Sequence, residues 1–182
     1  MPARVHLRAL RAIRPRRFEA AVSRVVAEVY RDRALSLEGS LLYGGRYNPP
    51  SEFGALYCGL SPEICWAELE NKHEGPLKRS AFRVVRVAVR LQRVLDLTDR
   101  AVQEILGVTP EDLTRPANYA LTQTIAKAAR DAGFEAILAS SSTGTGAILA
   151  IFTDQIDERS RVTVVARAAR GRARARPPRR PR

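Results

Sequence analysis

Hydrophobic and polar positions along this chain repeat with periods that predict both helices and strands. Apolar residues at helical spacing predict an amphipathic helix over residues 18–30. Glycine and proline then punctuate residues 34–56, which favours loops. A second helix is expected to begin at Ser61, which can cap free backbone N–H groups ahead of Pro62, and to run to about Lys72.

Strand patterns dominate the remainder of the chain. Residues 82–91 place valine and leucine on one face and arginine on the other, as in a half-buried strand. Further strands are predicted over residues 55–58, 93–97, 134–139, 147–153 and 162–166. Short helices are predicted to begin at Thr98 and Thr109. A stronger helix covers residues 119–132, before Gly133 at a left-handed helix end. Together, these helices and strands predict one mixed α/β or α+β domain.

Length and charge define the predicted boundaries of that domain. The 182 residues suffice for one domain with a real core, and no apolar run reaches the roughly 20 residues of a membrane helix. No apolar segment follows the arginine-rich N-terminus, so we expect a cytoplasmic protein without a secretory signal. We predict a basic N-terminal segment (residues 1–17), a folded domain (residues 18–166) and a disordered tail (residues 167–182).

The net charge of +12 invites a nucleic-acid-binding interpretation, but the charge is concentrated in the tail. Residues 167–182 contain eight arginines and no acid, and without them the net charge is about +4. The tail can be a solvated extension or an arm that contacts phosphates or a partner. It has no aromatic residue for base stacking, which argues against specific RNA recognition.

The first chemically distinctive segment is residues 44–50, of sequence Gly-Gly-Arg-Tyr-Asn-Pro-Pro. Paired glycines allow the backbone to approach a ligand closely, and the proline after Asn48 holds the segment extended. In such a frame Arg46 is suited to a two-pronged contact with a phosphate or carboxylate. A simple turn that carries a surface arginine fits the same pattern.

Two further features carry candidate chemistry. Glu68 follows Ile64 by four residues and Cys65 by three, so on a helix it shares a face with apolar side chains. A carboxylate there is paired, desolvated or functional, unless it reaches solvent at the edge of that face. Residues 140–146, Ser-Ser-Ser-Thr-Gly-Thr-Gly, follow a predicted strand, and such a hydroxyl-rich loop can bind phosphate or sugar. The loop lacks the P-loop pattern and also fits a plain flexible connection.

The sequence argues against a metal site and against a Ser-His-Asp catalytic triad. Cys58 and Cys65 lie seven residues apart without a CxxC motif or a Cys/His cluster, so we expect no metal site. The histidines are His6 and His73, near a chain end and a helix end, which argues against a Ser-His-Asp site.

In order and approximate spacing, these segments resemble the RES domain family over roughly residues 24–166. The family pattern is Gly-Gly-Arg-aromatic-Asn-Pro, then Leu-Tyr, a Ser-Pro-Glu helix with a glutamate, another helix, and strands ending in serine and phenylalanine. The matching positions in this chain are residues 44–49, Leu56-Tyr57, Ser61-Pro62-Glu63, Ala67-Glu68, Gln123, Ser141 and Ile151-Phe152. Each piece alone is weak, whereas the ordered series is specific.

The resemblance implies a fold similar to that of ADP-ribosyltransferase toxins and the function of a toxin in a bacterial type II toxin–antitoxin module. It implies NAD⁺ as the substrate, with its nicotinamide–ribose bond cleaved by hydrolysis or phosphorolysis. Transfer of ADP-ribose to a protein is the alternative, and a non-enzymatic nucleic-acid-binding protein is a third. The implied partner is an Xre-like helix-turn-helix antitoxin, in a hetero-oligomer or beside a toxin homodimer.

Matched position by position, the family arginine is Arg46, the family glutamate is Glu68 and the tyrosine of the Leu-Tyr strand is Tyr57. The resemblance implies that Glu68 stabilises the positive charge that develops on the ribose and orients the acceptor. Arg46 is expected to hold the pyrophosphate, and Tyr57 to stack on the nicotinamide. Tyr47, beside Arg46, is also counted among the substrate-binding residues.

Two matches leave alternatives open. Ser141 is the best match to the family serine, expected to contact the ribose or the nicotinamide amide, with Ser140 and Ser142 as alternatives. Ser140 stands where the family usually has proline. Arg24 matches a further family arginine about twenty residues before the glycine pair, although the predicted helix places it on a polar face.

Overall fold

The strands of the protein pair into one sheet on which the helices pack. The computed structural model describes residues 7–73, 75–115 and 119–165. The strands are β1 (Arg16–Ala27), β2 (Leu56–Gly59), β3 (Phe82–Asp96), β4 (Ala136–Ser140), β5 (Ala147–Ile151) and β6 (Arg161–Val164). The α-helices are α1 (Glu38–Tyr43), α2 (Pro62–Lys72), α3 (Arg100–Leu106), α4 (Pro110–Thr114) and α5 (Ala120–Asp131). Short 3-10 helices cover Leu7–Ala12, Glu28–Arg33, Arg79–Ala81 and Thr153–Gln155.

The sheet closes on itself. β1 and β3 are antiparallel along almost their whole length, and β2 joins β1 to β5. β5 pairs with β4, which then returns to β3 as its parallel neighbour. The order β1-β2-β5-β4-β3 therefore leads back to β1, while β6 adds to β3 from outside. Closure of this kind leaves few unpaired strand edges.

Alternate residues of the strands face two separate hydrophobic layers. In β4, Ala136 and Leu138 belong to one layer, and Ile137 and Ala139 belong to the other, as the period of two requires. The first layer consists of buried strand residues such as Phe18, Val22, Leu56, Leu91 and Leu149. The second layer carries α3, α4 and α5 through residues such as Leu106, Leu113 and Ile125.

The helix predicted over residues 18–30 is wrong, because this segment forms β1 and a following 3-10 helix. Its buried apolar residues are Phe18, Val22 and Val26, which lie four positions apart. A spacing of four equals about one helical turn and also two repeats of a strand, so the pattern fits both structures. Pairing with β3 decides in favour of the strand, and valine suits the pleated surface.

The strand β3 is continuous, so the predicted division into residues 82–91 and 93–97 is wrong. Between the stretches paired with β6 and β4, the backbone N–H groups of Gln92 and Arg93 donate to Oε2 of buried Glu135 at 2.7 and 3.0 Å. A side chain thus takes the place of a strand partner and satisfies these donors. The local pattern of residues 82–97 does not reveal that contact.

After β1, the helices agree with their predictions except at two points. α2, α4 and α5 lie where they were expected, and Gly133 follows α5 with φ of 80°. α3 begins after Asp99, whose carboxylate accepts the Ala101 N–H at 2.9 Å, so the predicted start at Thr98 is wrong. Residues 34–56, expected to be loops, contain α1.

The first described residues pack onto the domain, because Leu10 and Ile13 are buried in the layer that carries the helices. His6 and the tail predicted over residues 167–182 lie outside the described residues, so the predicted domain boundaries stay predictions. Within the described residues, no helix is both long and apolar enough to cross a membrane. The mixed α/β architecture is confirmed, and the similarity to ADP-ribosyltransferase toxins stays a prediction.

Candidate active site

The carboxylate of Glu68 projects from α2 beside a cavity. Ser61 caps this helix by accepting the Ile64 N–H at 3.4 Å, and Pro62 occupies its first turn, as the sequence predicts. Four residues of α2 line the cavity, and each has others of the set three or four positions away: Cys65, Glu68, Leu69 and Lys72. These intervals place all four on one face of the helix.

A loop after β4 holds both oxygens of this carboxylate. The Ser141 hydroxyl and the Ser142 backbone N–H each donate to Oε1 of Glu68 at 2.7 Å, and the Ser142 hydroxyl donates to Oε2 at 3.0 Å. The loop is closed by the Ser141 N–H, which donates to the Gly146 carbonyl at 3.0 Å. The predicted glutamate and the predicted serine are therefore neighbours, and Ser142 shares the contact.

These contacts control the ionisation of Glu68. Partial burial alone raises the pKa of this carboxyl group, because a desolvated charge is costly. The hydrogen bonds from Ser141 and Ser142, together with the charge of Arg46, outweigh that effect and lower the pKa below its ordinary value. Glu68 is therefore a carboxylate at neutral pH.

The glycine–arginine segment forms a tight turn. Gly44 has φ of 69°, and a Cβ atom there would lie 2.8 Å from Cδ of Pro50. Gly45 and Asn48 exchange backbone hydrogen bonds of 2.8 and 3.3 Å. From α5, Nε2 of Gln123 donates to the carbonyls of Gly45 and Asn48 at 2.9 and 3.2 Å. The turn is thus anchored to a helix far away in the sequence.

Tyr57 of β2 packs directly against this turn. A Cβ atom on Gly45 would lie 2.5 Å from the Tyr57 hydroxyl, so only glycine fits without a rearrangement. The hydroxyl accepts the Tyr47 N–H at 2.8 Å and donates to Oδ1 of Asn48 at 2.9 Å. Burial raises the pKa of Tyr57, so the hydroxyl stays protonated and acts as a fixed connector.

Arg46 is buried under the serine loop, with 4% of its surface exposed. Its Nη1 donates to the Leu113 carbonyl at 3.3 Å and its Nη2 to the Ser140 carbonyl at 2.9 Å. Its own carbonyl accepts the Thr122 hydroxyl at 2.5 Å. In this conformation the guanidinium fixes the start of the serine loop, so the predicted contact with a pyrophosphate stays a prediction that the burial does not support.

Tyr47 is completely buried, with 0% of its surface exposed. The guanidinium carbon of Arg46 lies 5.2 Å from the centroid of its ring. Burial raises the pKa of Tyr47 to about 12, and its hydroxyl has no hydrogen-bond partner among the described residues. This conformation offers a substrate no face of the ring, so the predicted substrate contact of Tyr47 lacks support from its position.

The cavity beside Glu68 has a volume of about 150 Å³. Its remaining lining residues are Val25, Tyr57, Cys58, Gly59 and Ile148. Because the Tyr57 hydroxyl is engaged in the turn, the part of Tyr57 left for a ligand is its ring, which suits a flat partner. Nζ of Lys72 lies 5.4 Å from the centroid of that ring. A carboxylate, an aromatic ring and an ammonium group thus border one small space.

Arg24 lies on β1, so its predicted position on the polar face of a helix is wrong. Its Nη1 and Nη2 donate to the carbonyls of Tyr57 and Ser36 at 3.4 and 3.1 Å. Its neighbour Val25 lines the Glu68 cavity, whereas Arg24 borders a second groove. Arg24 therefore supports the backbone of the site, and its predicted contact with substrate stays a prediction.

Lys72 was not identified as a site residue from the sequence, and Ser142 was named only as an alternative. Lys72 borders the cavity one helical turn after Glu68, and that spacing of four was an available signal. Ser142 supplies two of the three hydrogen bonds to the carboxylate, although it was only an alternative to Ser141. Gln123 was named only as a position that matches the family pattern, and its contact with the glycine turn has no local signal because Gly45 is 78 residues away.

A family model that describes the RES domain matches residues 21–174. The chain belongs to the RES domain family. The match includes every predicted site residue and extends beyond the last described residue into the arginine-rich tail. The family resemblance inferred from the ordered motifs is therefore confirmed.

Two relatives of the RES-domain chain carry names that state an activity. It is 42% identical over 115 residues to a Mycobacterium tuberculosis protein named probable NAD⁺ phosphorylase Rv3189, an alignment that covers 59% of this chain and 53% of the relative. It is 29% identical over 125 residues to the NAD⁺ phosphorylase MbcT of Mycobacterium bovis, covering 65% and 67% of the two chains. The matched region thus spans about half the length of the first relative.

A solved structure confirms the fold of this RES domain. The crystal structure of the Mycobacterium tuberculosis MbcT–MbcA toxin–antitoxin complex contains a chain that superposes with a TM-score of 0.72 at 23% identity. The superposition covers 87% of this chain and 88% of the other. The mixed α/β architecture is therefore shared along nearly the whole length of both chains.

Proposed function

We propose that this RES-domain protein is the toxin of a type II toxin–antitoxin module and depletes cytoplasmic NAD⁺ by cleaving the nicotinamide–ribose bond. The observation that carries the proposal is the Glu68 carboxylate, held by Ser141 and Ser142 beside a cavity lined by Tyr57. Membership of the RES domain family and the names of two NAD⁺ phosphorylases among its relatives support the same reaction.

The low pKa of Glu68 determines which chemistry this carboxylate performs. Nicotinamide leaves NAD⁺ as a neutral molecule, so no general acid is needed, and positive charge develops on the ribose. An ionised carboxylate beside the anomeric carbon stabilises that charge. The same low pKa makes Glu68 a weak base toward water. Glu68 is therefore suited to electrostatic stabilisation more than to proton abstraction.

This balance favours phosphate over water as the acceptor. A phosphate dianion attacks with an electron pair of its own oxygen and needs no base. The new bond joins that oxygen to the anomeric carbon, while the electron pair of the broken C–N bond neutralises the nicotinamide. The products are nicotinamide and ADP-ribose phosphorylated at the anomeric carbon. We propose phosphorolysis ahead of hydrolysis because it is the activity for which the two relatives are named.

The other residues of the site position these groups. The Tyr57 ring offers a flat surface to the nicotinamide. The Ser141 hydroxyl has a single proton, which it donates to Glu68, so it orients the carboxylate and has none left to donate to the ribose. Arg46 fixes the Ser140 carbonyl and adds positive charge near Glu68. These assignments need no metal ion.

The test is NAD⁺ loss by the purified full chain in the presence of inorganic phosphate, with products separated by chromatography. In Glu68→Gln, the remaining oxygen can still accept from Ser141, and the new amide can donate to the Ser142 hydroxyl, so the fold is expected to survive. We expect turnover to fall by about 10²–10³-fold. Glu70→Gln, a change at an exposed position of the same helix, should leave turnover unchanged. Full turnover in folded Glu68→Gln protein would reject the proposal.

Labelled NAD⁺ incubated with a cell lysate separates the other function classes. Label on a protein would identify an ADP-ribosyltransferase, whereas label in phosphorylated or free ADP-ribose supports NAD⁺ consumption. Deletion of residues 167–182 should leave NAD⁺ loss intact. Absence of NAD⁺ loss combined with tail-dependent binding of nucleic acid would support the third class.

We also infer an antitoxin partner, of the Xre-like helix-turn-helix type that the family resemblance implies. MbcT is bound to the antitoxin MbcA in the matching crystal structure. In this chain, Tyr30, Leu42 and Tyr43 border one groove and are 53%, 65% and 85% exposed, a surface that a partner can cover. Co-expression with a helix-turn-helix protein encoded beside this gene should give a stable hetero-oligomer with reduced NAD⁺ loss. Separate elution of a toxin homodimer and the second protein would reject this partner.

A further inference from the structure

The ammonium group of Lys72 is a cation that the reaction outlined above does not use. Lys72 lies one helical turn after Glu68, and both side chains line the same cavity. Its Nζ stands 5.4 Å from the centroid of the Tyr57 ring. No described carboxylate forms an ion pair with it. Partial burial lowers the pKa of Lys72, and the charge of Glu68 partly offsets that effect. The ammonium is thus close to the chemistry without a direct ion pair to a described carboxylate.

Among the described residues that line this cavity, Lys72 is the basic one. Arg46 is not a lining residue, since it is 4% exposed and its two terminal nitrogens donate to the carbonyls of Leu113 and Ser140. Lys72 differs because it is exposed, and its flexible four-carbon stem lets its ammonium follow a ligand. Positive charge available to an incoming ligand in this space therefore comes from Lys72.

Phosphorolysis brings two negative charges together. The phosphate dianion must reach the anomeric carbon while the ionised Glu68 stands beside that same carbon, and like charges repel in a space partly shielded from water. A cation next to the path of the phosphate offsets that repulsion. Water carries no net charge and interacts with the cation only through its dipole, so the same group favours the phosphate dianion over water.

We propose that Lys72 binds the phosphate acceptor beside Glu68 and thereby selects phosphorolysis over hydrolysis. This inference rests on the proposed NAD⁺-cleaving function and names the residue that chooses its acceptor. Lys72 forms an ion pair with the phosphate and exchanges no proton with it. The phosphate oxygen bonds to the anomeric carbon, and the nicotinamide leaves with the electron pair of the C–N bond.

The experiment measures NAD⁺ consumption by the purified full chain at saturating NAD⁺ with inorganic phosphate as the varied substrate. Phosphorylated and free ADP-ribose are quantified by ³¹P NMR. Lys72→Met removes the charge and keeps an unbranched apolar stem. We expect its KM for phosphate to rise by about 10–100-fold, as for the loss of a charge-assisted contact. Its KM for NAD⁺ should stay within a few fold, and its products should shift toward free ADP-ribose.

Two control variants separate this role from a structural one. Lys72→Arg keeps the charge and should restore the KM for phosphate to within a few fold of the parent. Lys127→Met, on α5, breaks a surface ion pair with Glu52 and should change neither KM nor the product ratio. Circular dichroism and melting curves establish that all three variants fold.

The outcomes are distinguishable. An unchanged KM for phosphate and an unchanged product ratio in folded Lys72→Met protein would overturn the inference. A rise confined to the KM for NAD⁺ would also overturn it, because Lys72 would then hold the dinucleotide. If the parent protein consumes no NAD⁺ under any phosphate concentration, the proposed function itself fails. Consumption of NAD⁺ without any dependence on phosphate would retain the NAD⁺-cleaving function and reject the role of Lys72.

Discussion

Removal of the Ser141 hydroxyl tests whether the serine loop sets the ionisation of Glu68. The variant Ser141→Ala deletes the 2.7 Å hydrogen bond to Oε1 and leaves both contacts from Ser142 in place. Ser141 is 1% exposed, so alanine creates a small buried gap rather than a site open to bulk water. The change removes one of the three donors that hold the carboxylate, and it also removes the contacts of the Ser141 hydroxyl with the Thr143 hydroxyl at 2.7 Å and the Thr143 N–H at 3.2 Å.

The expected magnitude follows from the chemistry of that bond. A hydrogen bond to a charged group contributes about 1.5–3 kcal/mol, and a pKa change of one unit corresponds to about 1.4 kcal/mol. Loss of the Ser141 donor should therefore raise the pKa of Glu68, because burial is then opposed by fewer hydrogen bonds. Because only the ionised form stabilises the ribose cation, activity is lost as the pH falls through this pKa. In acidic solution the variant should therefore lose up to about 10–100-fold in activity relative to the parent.

The assay is kcat/KM for NAD⁺ at fixed phosphate, measured from about pH 4 to about pH 9 for the parent and Ser141→Ala. Titration of phosphate contributes equally to both profiles, so we compare the ratio of kcat/KM for Ser141→Ala to that for the parent at each pH. This ratio should fall toward acidic pH. Thr145→Ala, at an exposed position of the same loop, should leave the profile in place. A ratio that stays constant across this pH range in folded Ser141→Ala protein would refute the reasoning.

The glycine turn yields further predictions. Gly45→Ala places a methyl group 2.5 Å from the Tyr57 hydroxyl and should lower the free energy of unfolding by about 1–3 kcal/mol in urea titrations. Gly39→Ala, in a helix with nothing within 4 Å, should be neutral or raise it by up to about 1 kcal/mol, and equal losses in both variants would contradict the packing argument. Tyr57→Phe leaves the Tyr47 N–H and Oδ1 of Asn48 without their partner, so unfolding should become easier by about 1–3 kcal/mol. Its KM for NAD⁺ should change little, since the ring remains, and a large rise would show that the hydroxyl contacts substrate.

Local sequence signals determined the helices that present the site and the identity of its central residues. Ser61 and Pro62 define the start of α2 through groups that act within one helical turn, and Gly133 defines the end of α5 in the same way. The ordered motifs identified Glu68 and Ser141 as site residues, without predicting that they contact each other. The structure places the two in direct contact although they are 73 residues apart.

Tertiary structure alone decided the conformation of β1 and the surroundings of Arg46. The apolar spacing of four in residues 18–26 suits a helix and a strand equally, and eleven paired positions on β3 resolve it. Arg46 was expected to face an anion, but the carbonyls that bind it belong to Leu113 and Ser140, 67 and 94 residues away. Helix caps and turns depend on interactions within a few residues, so the local sequence predicts them. The burial of a charged side chain depends on distant segments that meet only in the folded chain.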